Sequence, residues 1–193
     1  LQLVADLRAA IENGDLEVVY QPIVPMDEYD GEPRQLPGVE ALARWHHPER
    51  GPINPAVFVA LAEANQLIGA LSEYVLDVSC AQMSAWHREL GDAAPARVNV
   101  NLSASQLTDI ALPSQVEAVL SRYDLPPGAL CLEITESALM RDPDACRATL
   151  LDLRAAGVRL AIDDFGTGYS SLAYLQRLPV DYLKIDQSFV AEL

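Results

Sequence analysis

Positive charge is scarce in this chain. Its 193 residues hold 13 Lys and Arg against 28 Asp and Glu, for a formal charge of −15. Binding a DNA or RNA polymer, or an anionic membrane surface, needs clustered Lys and Arg, so the composition argues against both. A phosphate-bearing ligand would have to be attracted through metal ions. Cysteine is sparse too: Cys80, Cys131 and Cys146 are odd in number, without close pairs or His partners at zinc spacing. That usage fits a reducing cytoplasm, where a buried Cys behaves as a small hydrophobe. No basic-then-apolar leader opens the sequence, and no apolar run approaches membrane-spanning length. A membrane anchor of the parent protein would therefore lie in other domains. Long low-complexity linkers and sequence repeats are also lacking.

What is present suits one globular domain with a sizeable core: half the residues are hydrophobic and 21% are charged. Helical periodicity from Leu3 to Asn13 stops at Gly14. Strands are expected at Leu16–Val24 and Val39–Trp45, with a polar loop through Gly31 and Pro33 between them. Asn54-Pro55 opens a helix to Ala64, and a longer amphipathic one runs from Gly69 to Leu90. Strands then alternate with helices: strand 97–101, helix 115–123, strand 129–135, helix 144–156, strand 158–163, short helix 170–178 and strand 182–185. Such alternation with right-handed crossovers describes a parallel α/β fold. The count is six strands, two short of a closed (β/α)8 barrel.

Five of these strands carry oxygen donors at or near one end, the last with a cation added. Alternate residues share a face, which groups Glu40, Leu42 and Arg44; Asn99 and Asn101; Cys131, Glu133 and Thr135; Ala161 and Asp163; Lys184 and Asp186. The intervening residues are apolar and suited to lie under helices. Glu40, Asn101, Glu133 and Asp163 thus offer three carboxylates and an amide oxygen, a donor set for magnesium or manganese. Asp164 adds a carboxylate for a second ion with Asp163 bridging, and two ions about 3.5–4 Å apart can clamp a phosphodiester. Lys184 is suited to orient the attacking water and Arg44 to bind phosphate. Glu136 reads either as helix-start electrostatics or as a support for the following glycine loop. His46 and His47, ahead of Pro48, read as surface residues; Trp86 and Tyr74 read as core.

Taken in order, Tyr20-Gln21-Pro22-Ile23, Glu40-Ala41-Leu42 with Arg44-Trp45, Val100-Asn101-Leu102-Ser103, Glu133-Ile134-Thr135-Glu136, Asp163 through Leu172 and Lys184-Ile185-Asp186 resemble the EAL domains, bacterial phosphodiesterases of cyclic di-GMP. Each motif is short, but the ordered set is specific and covers nearly the whole chain. The resemblance implies a modified TIM barrel with an antiparallel first strand, of which about six of eight strands are present. It also implies hydrolysis of cyclic di-GMP to linear pGpG with two Mg2+ or Mn2+ ions. Glu40, Asn101, Glu133 and Asp163 would hold the first ion, and Asp163 with Asp164 the second. Lys184 would contact the water, and Glu136 would hold the loop from Asp163 to Ser171. Gln21, Leu42, Arg44 and Asp186 would contact the dinucleotide. A further family glutamate on the seventh strand is not in residues 1–193. The resemblance thus implies an EAL domain cut before its last two strands, with negligible turnover by the chain alone. A homodimer through this domain, fused sensory or GGDEF domains and a cytoplasmic location are expected as well. The competing function is a non-catalytic cyclic di-GMP receptor of the same fold.

Overall fold

The computed structural model describes residues 2–25, 35–139, 143–166, 178–189 and 191. The chain divides into two compact units, Leu1–Val100 and Asn101–Leu193.

In the first unit, α1 (Gln2–Asn13) buries Leu7, Ala10 and Ile11 and ends before Gly14. Strand β1 (Glu17–Ile23) runs antiparallel to β2 (Gly38–His47), with Gln21 opposite Glu40, Val19 opposite Leu42 and Glu17 opposite Arg44. This is the antiparallel opening that the family resemblance implies. A three-residue strand β3 (Gly51–Ile53) folds back on the end of β2 and was not anticipated. Its Pro52 and its brevity leave no alternation to read. Asn54 caps α2 (Pro55–Ala64) by accepting a hydrogen bond from the Ala56 amide at 2.9 Å, with Pro55 in the first turn. Helix α3 (Ile68–Leu90) contributes Leu71, Val75, Leu76, Cys80 and Met83 to the interior. Strand β4 (Val98–Leu102) starts alongside β2 in parallel, Val39 opposite Val98 and Ala41 opposite Val100. Trp45 on β2 is fully enclosed, edge-on to Phe58 and His47.

His47 corrects the sequence reading. His46 is exposed, but His47 is buried, at 6% exposure. Its Nδ1 accepts the Glu49 amide at 3.1 Å, which leaves Nε2 to donate to Asp6 Oδ2 at 3.1 Å. The imidazole thereby ties α1 to the end of β2. A period-2 strand pattern running into Pro48 gave no sign of this, because Asp6 is 41 residues away.

The second unit contains α4 (Leu112–Arg122), β5 (Leu130–Thr135), α5 (Glu136–Leu139), α6 (Pro143–Ala155), β6 (Arg159–Phe165) and β7 (Tyr182–Ile185). The last three strands run parallel in the order β5-β6-β7. Leu130, Leu132, Ile134, Leu160 and Ile162 are essentially inaccessible, as expected for strands covered on both faces. Asp181 fixes the start of β7. Its carboxylate accepts from the Leu160 amide at 3.0 Å and from Arg159 at 2.9 Å, and its own amide donates to the Leu160 carbonyl at 2.8 Å. The six expected strands are all found among the described residues, β3 being additional. The expected polar loop through Gly31 and most of the helix at 170–178 lie outside the described residues. All three cysteines are buried free thiols, and burial pushes the Cys80 thiol up to about 12. Among the described residues, no helix is long and apolar enough to cross a membrane.

The Asp6–His47 contact carries an acid dependence. The hydrogen bond from His47, with help from Gln2, holds the Asp6 carboxyl below its ordinary 3.8. A carboxyl lowered by folding stabilises the native state above its unfolded pKa, and that contribution is lost as the pH falls through the folded value. Chemical denaturation at pH 7 and pH 3 should therefore show a smaller loss of stability on acidification for Asp6→Asn than for the parent sequence. An equal loss would remove Asp6 as a source of acid sensitivity.

Candidate active site

Glu133 sits on β5, between Leu132 and Ile134, so strand alternation turns its carboxylate away from the helices that cover those two. In the parallel register Glu133 lies opposite Ala161 and Thr135 opposite Asp163, which places Glu133 and Asp163 on one face. The Glu133 side chain is fully enclosed. Enclosing a carboxylate costs free energy unless a positive partner accompanies it. Lys184 of β7 is that partner: its ammonium lies 2.5 Å from Glu133 Oε2 and 3.2 Å from Asp163 Oδ2. Three strands thus bring two anions and a cation to one point, as their side-chain parity predicts.

Strand β6 does not end at Asp163 as the sequence suggests; it continues to Phe165 with an irregularity. Ile162 lies opposite Leu183 and Phe165 opposite Ile185, so Asp163 and Asp164 together stand against Lys184 alone. Two residues opposing one is the signature of a β-bulge, a device that re-aims side chains beside active sites. Asp164 takes a positive φ of 53°, uncommon for any residue but glycine. Its amide donates to Asp163 Oδ1 at 3.0 Å, which helps to hold the Asp163 carboxylate. The bulge ends at Gly166, whose φ of 103° is open to glycine and almost nothing else.

Glu136 stands both at a helix start and beside the glycine turn. It begins the short α5, is 2% exposed, and accepts the Gly166 amide at 2.8 Å through Oε2. Its carboxylate therefore supports the turn that follows the aspartate pair. The expected reach of that support to Ser171 lies outside the described residues, as does Gly168. Asp186 follows β7 and accepts from the Ser188 amide at 2.9 Å and from the Ser188 hydroxyl. These two bonds, hydroxyl first, hold its carboxyl below the usual range. The Asp-x-Ser spacing is a recognisable local turn signature.

In the first unit, Glu40 is half-buried on β2 with Gln21 directly across on β1. Leu42 and Arg44 continue the same face, and the Arg44 guanidinium donates to the Ala43 carbonyl at 2.9 Å. Asn99 on β4 is buried and accepts from Arg97 Nε at 3.2 Å, whereas Asn101, the first residue of the second unit, is exposed.

A family model described as EAL domain matches residues 4–193. The chain belongs to the EAL domain family. It is 48% identical over its whole length to the bifunctional diguanylate cyclase/cyclic di-GMP phosphodiesterase MucR of Pseudomonas aeruginosa, of which it spans 27%. It is 45% identical to the cyclic di-GMP phosphodiesterase NbdA of the same organism, spanning 24% of it. Among solved structures, the PaMucR phosphodiesterase in its c-di-GMP complex superposes with a TM-score of 0.88 at 47% identity. That superposition covers all of this chain and 75% of the other. The mixed α/β fold is therefore that of EAL domains, and the chain spans about a quarter of the length of these curated relatives.

The EAL domain's enclosed Glu133 makes Lys184 a test of the electrostatics. Lys184→Met should destabilise the protein by about 3–5 kcal/mol in metal-free buffer, the scale for stripping a buried ion pair of one partner. Urea denaturation in EDTA measures it. A loss below about 1 kcal/mol, the range of exposed pairs, would show that Glu133 does not depend on this ammonium.

Proposed function

We propose that this EAL domain is the hydrolytic module of a larger signalling protein and cleaves one phosphodiester bond of cyclic di-GMP to give linear pGpG. The observation that carries the reading is the convergence of Glu133, Asp163 and Lys184 beside the Asp163–Asp164 bulge. It occurs in a chain alike from end to end to a phosphodiesterase with a c-di-GMP complex.

Glu40, Asn101, Glu133 and Asp163 are proposed as the ligands of one divalent ion, and Asp163 with Asp164 as ligands of another. The donors fit Mg2+ or Mn2+, being hard oxygens of carboxylate and amide. The pairing of Lys184 with both Glu133 and Asp163 supports a place that favours positive charge. Bound there, such ions would neutralise the phosphate and lower the pKa of water. The chain's own groups do the rest. Lys184 holds and orients the water and offsets charge building on the phosphorus oxygens. Glu136 keeps the bulge in place through the Gly166 amide. Arg44 holds a non-bridging phosphate oxygen, while Gln21, Leu42 and Asp186 meet the dinucleotide. Cytoplasmic location agrees with three buried free thiols. Fused sensory or GGDEF domains agree with the small share of its relatives that this chain spans, and we propose a homodimer through the EAL domain.

Two substitutions in the full protein separate chemistry from binding. Glu133→Gln should abolish pGpG formation by weakening metal occupancy while the fold persists, as followed by chromatography at varied magnesium. Near-parental turnover at low magnesium would take Glu133 out of the metal shell. Arg44→Ala should weaken cyclic di-GMP binding by about 1.5–3 kcal/mol, the scale of a hydrogen bond to a charged group. Calorimetry in calcium tests this, and unchanged affinity would make Arg44 structural.

A further inference from the structure

Gly166 is gripped from two sides. Its amide is bound by Glu136 on one side. On the other lies the ring of Phe189, so close that a Cβ on residue 166 would stand 2.7 Å from Phe189 Cε2 and 2.8 Å from Cζ. Phe189 is delivered by a short 3-10 turn, Gln187–Phe189, at the end of β7. Asp186 builds that turn: its carboxylate takes the Ser188 amide and hydroxyl, and its carbonyl takes the Phe189 amide at 3.1 Å. The Asp186 amide in turn donates to the Phe165 carbonyl at 3.4 Å, next to Gly166. Phe165, Gly166, Phe189 and Asp186 therefore close a ring of contacts around the exit of the bulge.

Burial does not account for this ring. Phe189 remains 56% exposed, so it adds little to the core. Its ring fills the space a side chain on residue 166 would need, beside a glycine with φ of 103° that lies two residues from Asp164 with φ of 53°. Positive-φ conformations persist only where surrounding atoms enforce them. We infer that Phe189 is a positioning residue: by wedging Gly166 against Glu136, it holds the Asp163–Asp164 pair in the bulged geometry that presents both carboxylates. This rests on the metal-site reading proposed above, with the contribution of Phe189 added to it.

The test uses the full protein and manganese alone, with free Mn2+ followed by electron paramagnetic resonance and pGpG formation measured separately. Phe189→Ala should weaken Mn2+ binding by about 10–100-fold, the effect typical of residues that orient metal ligands. Phe189→Tyr, which keeps the ring, should restore it. Ile185→Ala, which trims an exposed apolar side chain at the end of β7, should leave Mn2+ binding unchanged. A second measurement is independent of metal: the stability loss caused by Gly166→Ala should be smaller in the Phe189→Ala background, where the atoms it would strike are gone. Parental Mn2+ affinity in folded Phe189→Ala, or an equal loss in Ile185→Ala, would overturn the inference. If the parent binds Mn2+ but forms no pGpG, the phosphodiesterase reading fails while the positioning role of Phe189 is still decided by the binding data. A parent that binds no Mn2+ overturns both.

Discussion

A carboxylate without access to water has to be accompanied by positive charge, and the second unit is arranged around that requirement. Glu133 is enclosed on β5 between leucine and isoleucine, and Lys184 reaches it from β7 across the intervening strand. The same ammonium meets Asp163 on β6. Three parallel strands are thus coupled through their side chains as well as their backbones. Such a cluster is poor at adding net stability, because desolvation offsets most of the Coulomb attraction. Its value lies in fixing where the anions stand.

The bulge in β6 follows from the same need. A regular strand would turn Asp163 and Asp164 to opposite faces. Setting both against Lys184 requires an extra residue on β6, a positive φ at Asp164 and a glycine at the exit. The strain is met locally, by the Asp163 carboxylate on the Asp164 amide and by Glu136 on the Gly166 amide. Glu136 is buried although α5 is a single turn. Its role is therefore better understood from the loop it holds than from the helix it begins.

The first unit solves a different problem. Its antiparallel β1–β2 pair sets Gln21 beside Glu40 and lines up Leu42 and Arg44 on the same face. The opposite face, with Val39, Ala41 and Trp45, is buried. Because strand periodicity is two, one pattern of alternation assigns the polar face and the apolar face together. The hydrogen bond between buried His47 and Asp6 then secures α1 to the far end of the same strand.

Much of this was legible in the residues alone. The six main strands and the face shared by Glu40, Leu42 and Arg44 follow from local patterns of period two and 3.6, which a linear sequence displays directly, and the order of the motifs carries the resemblance to EAL domains. The short β3, the burial of His47, the extension of β6 past Asp163 and the grip of Phe189 on Gly166 did not. Each depends on which distant atoms arrive beside a residue: Asp6 beside His47, β7 beside the bulged end of β6, an aromatic ring beside a glycine Cα. The sequence determined what each strand offers to either face, since alternation is a property of the backbone itself. Only the tertiary structure decided which offered groups meet, because pairing register and backbone strain arise from contacts between segments far apart in the chain, as with Lys184 and Glu133 at a separation of 51.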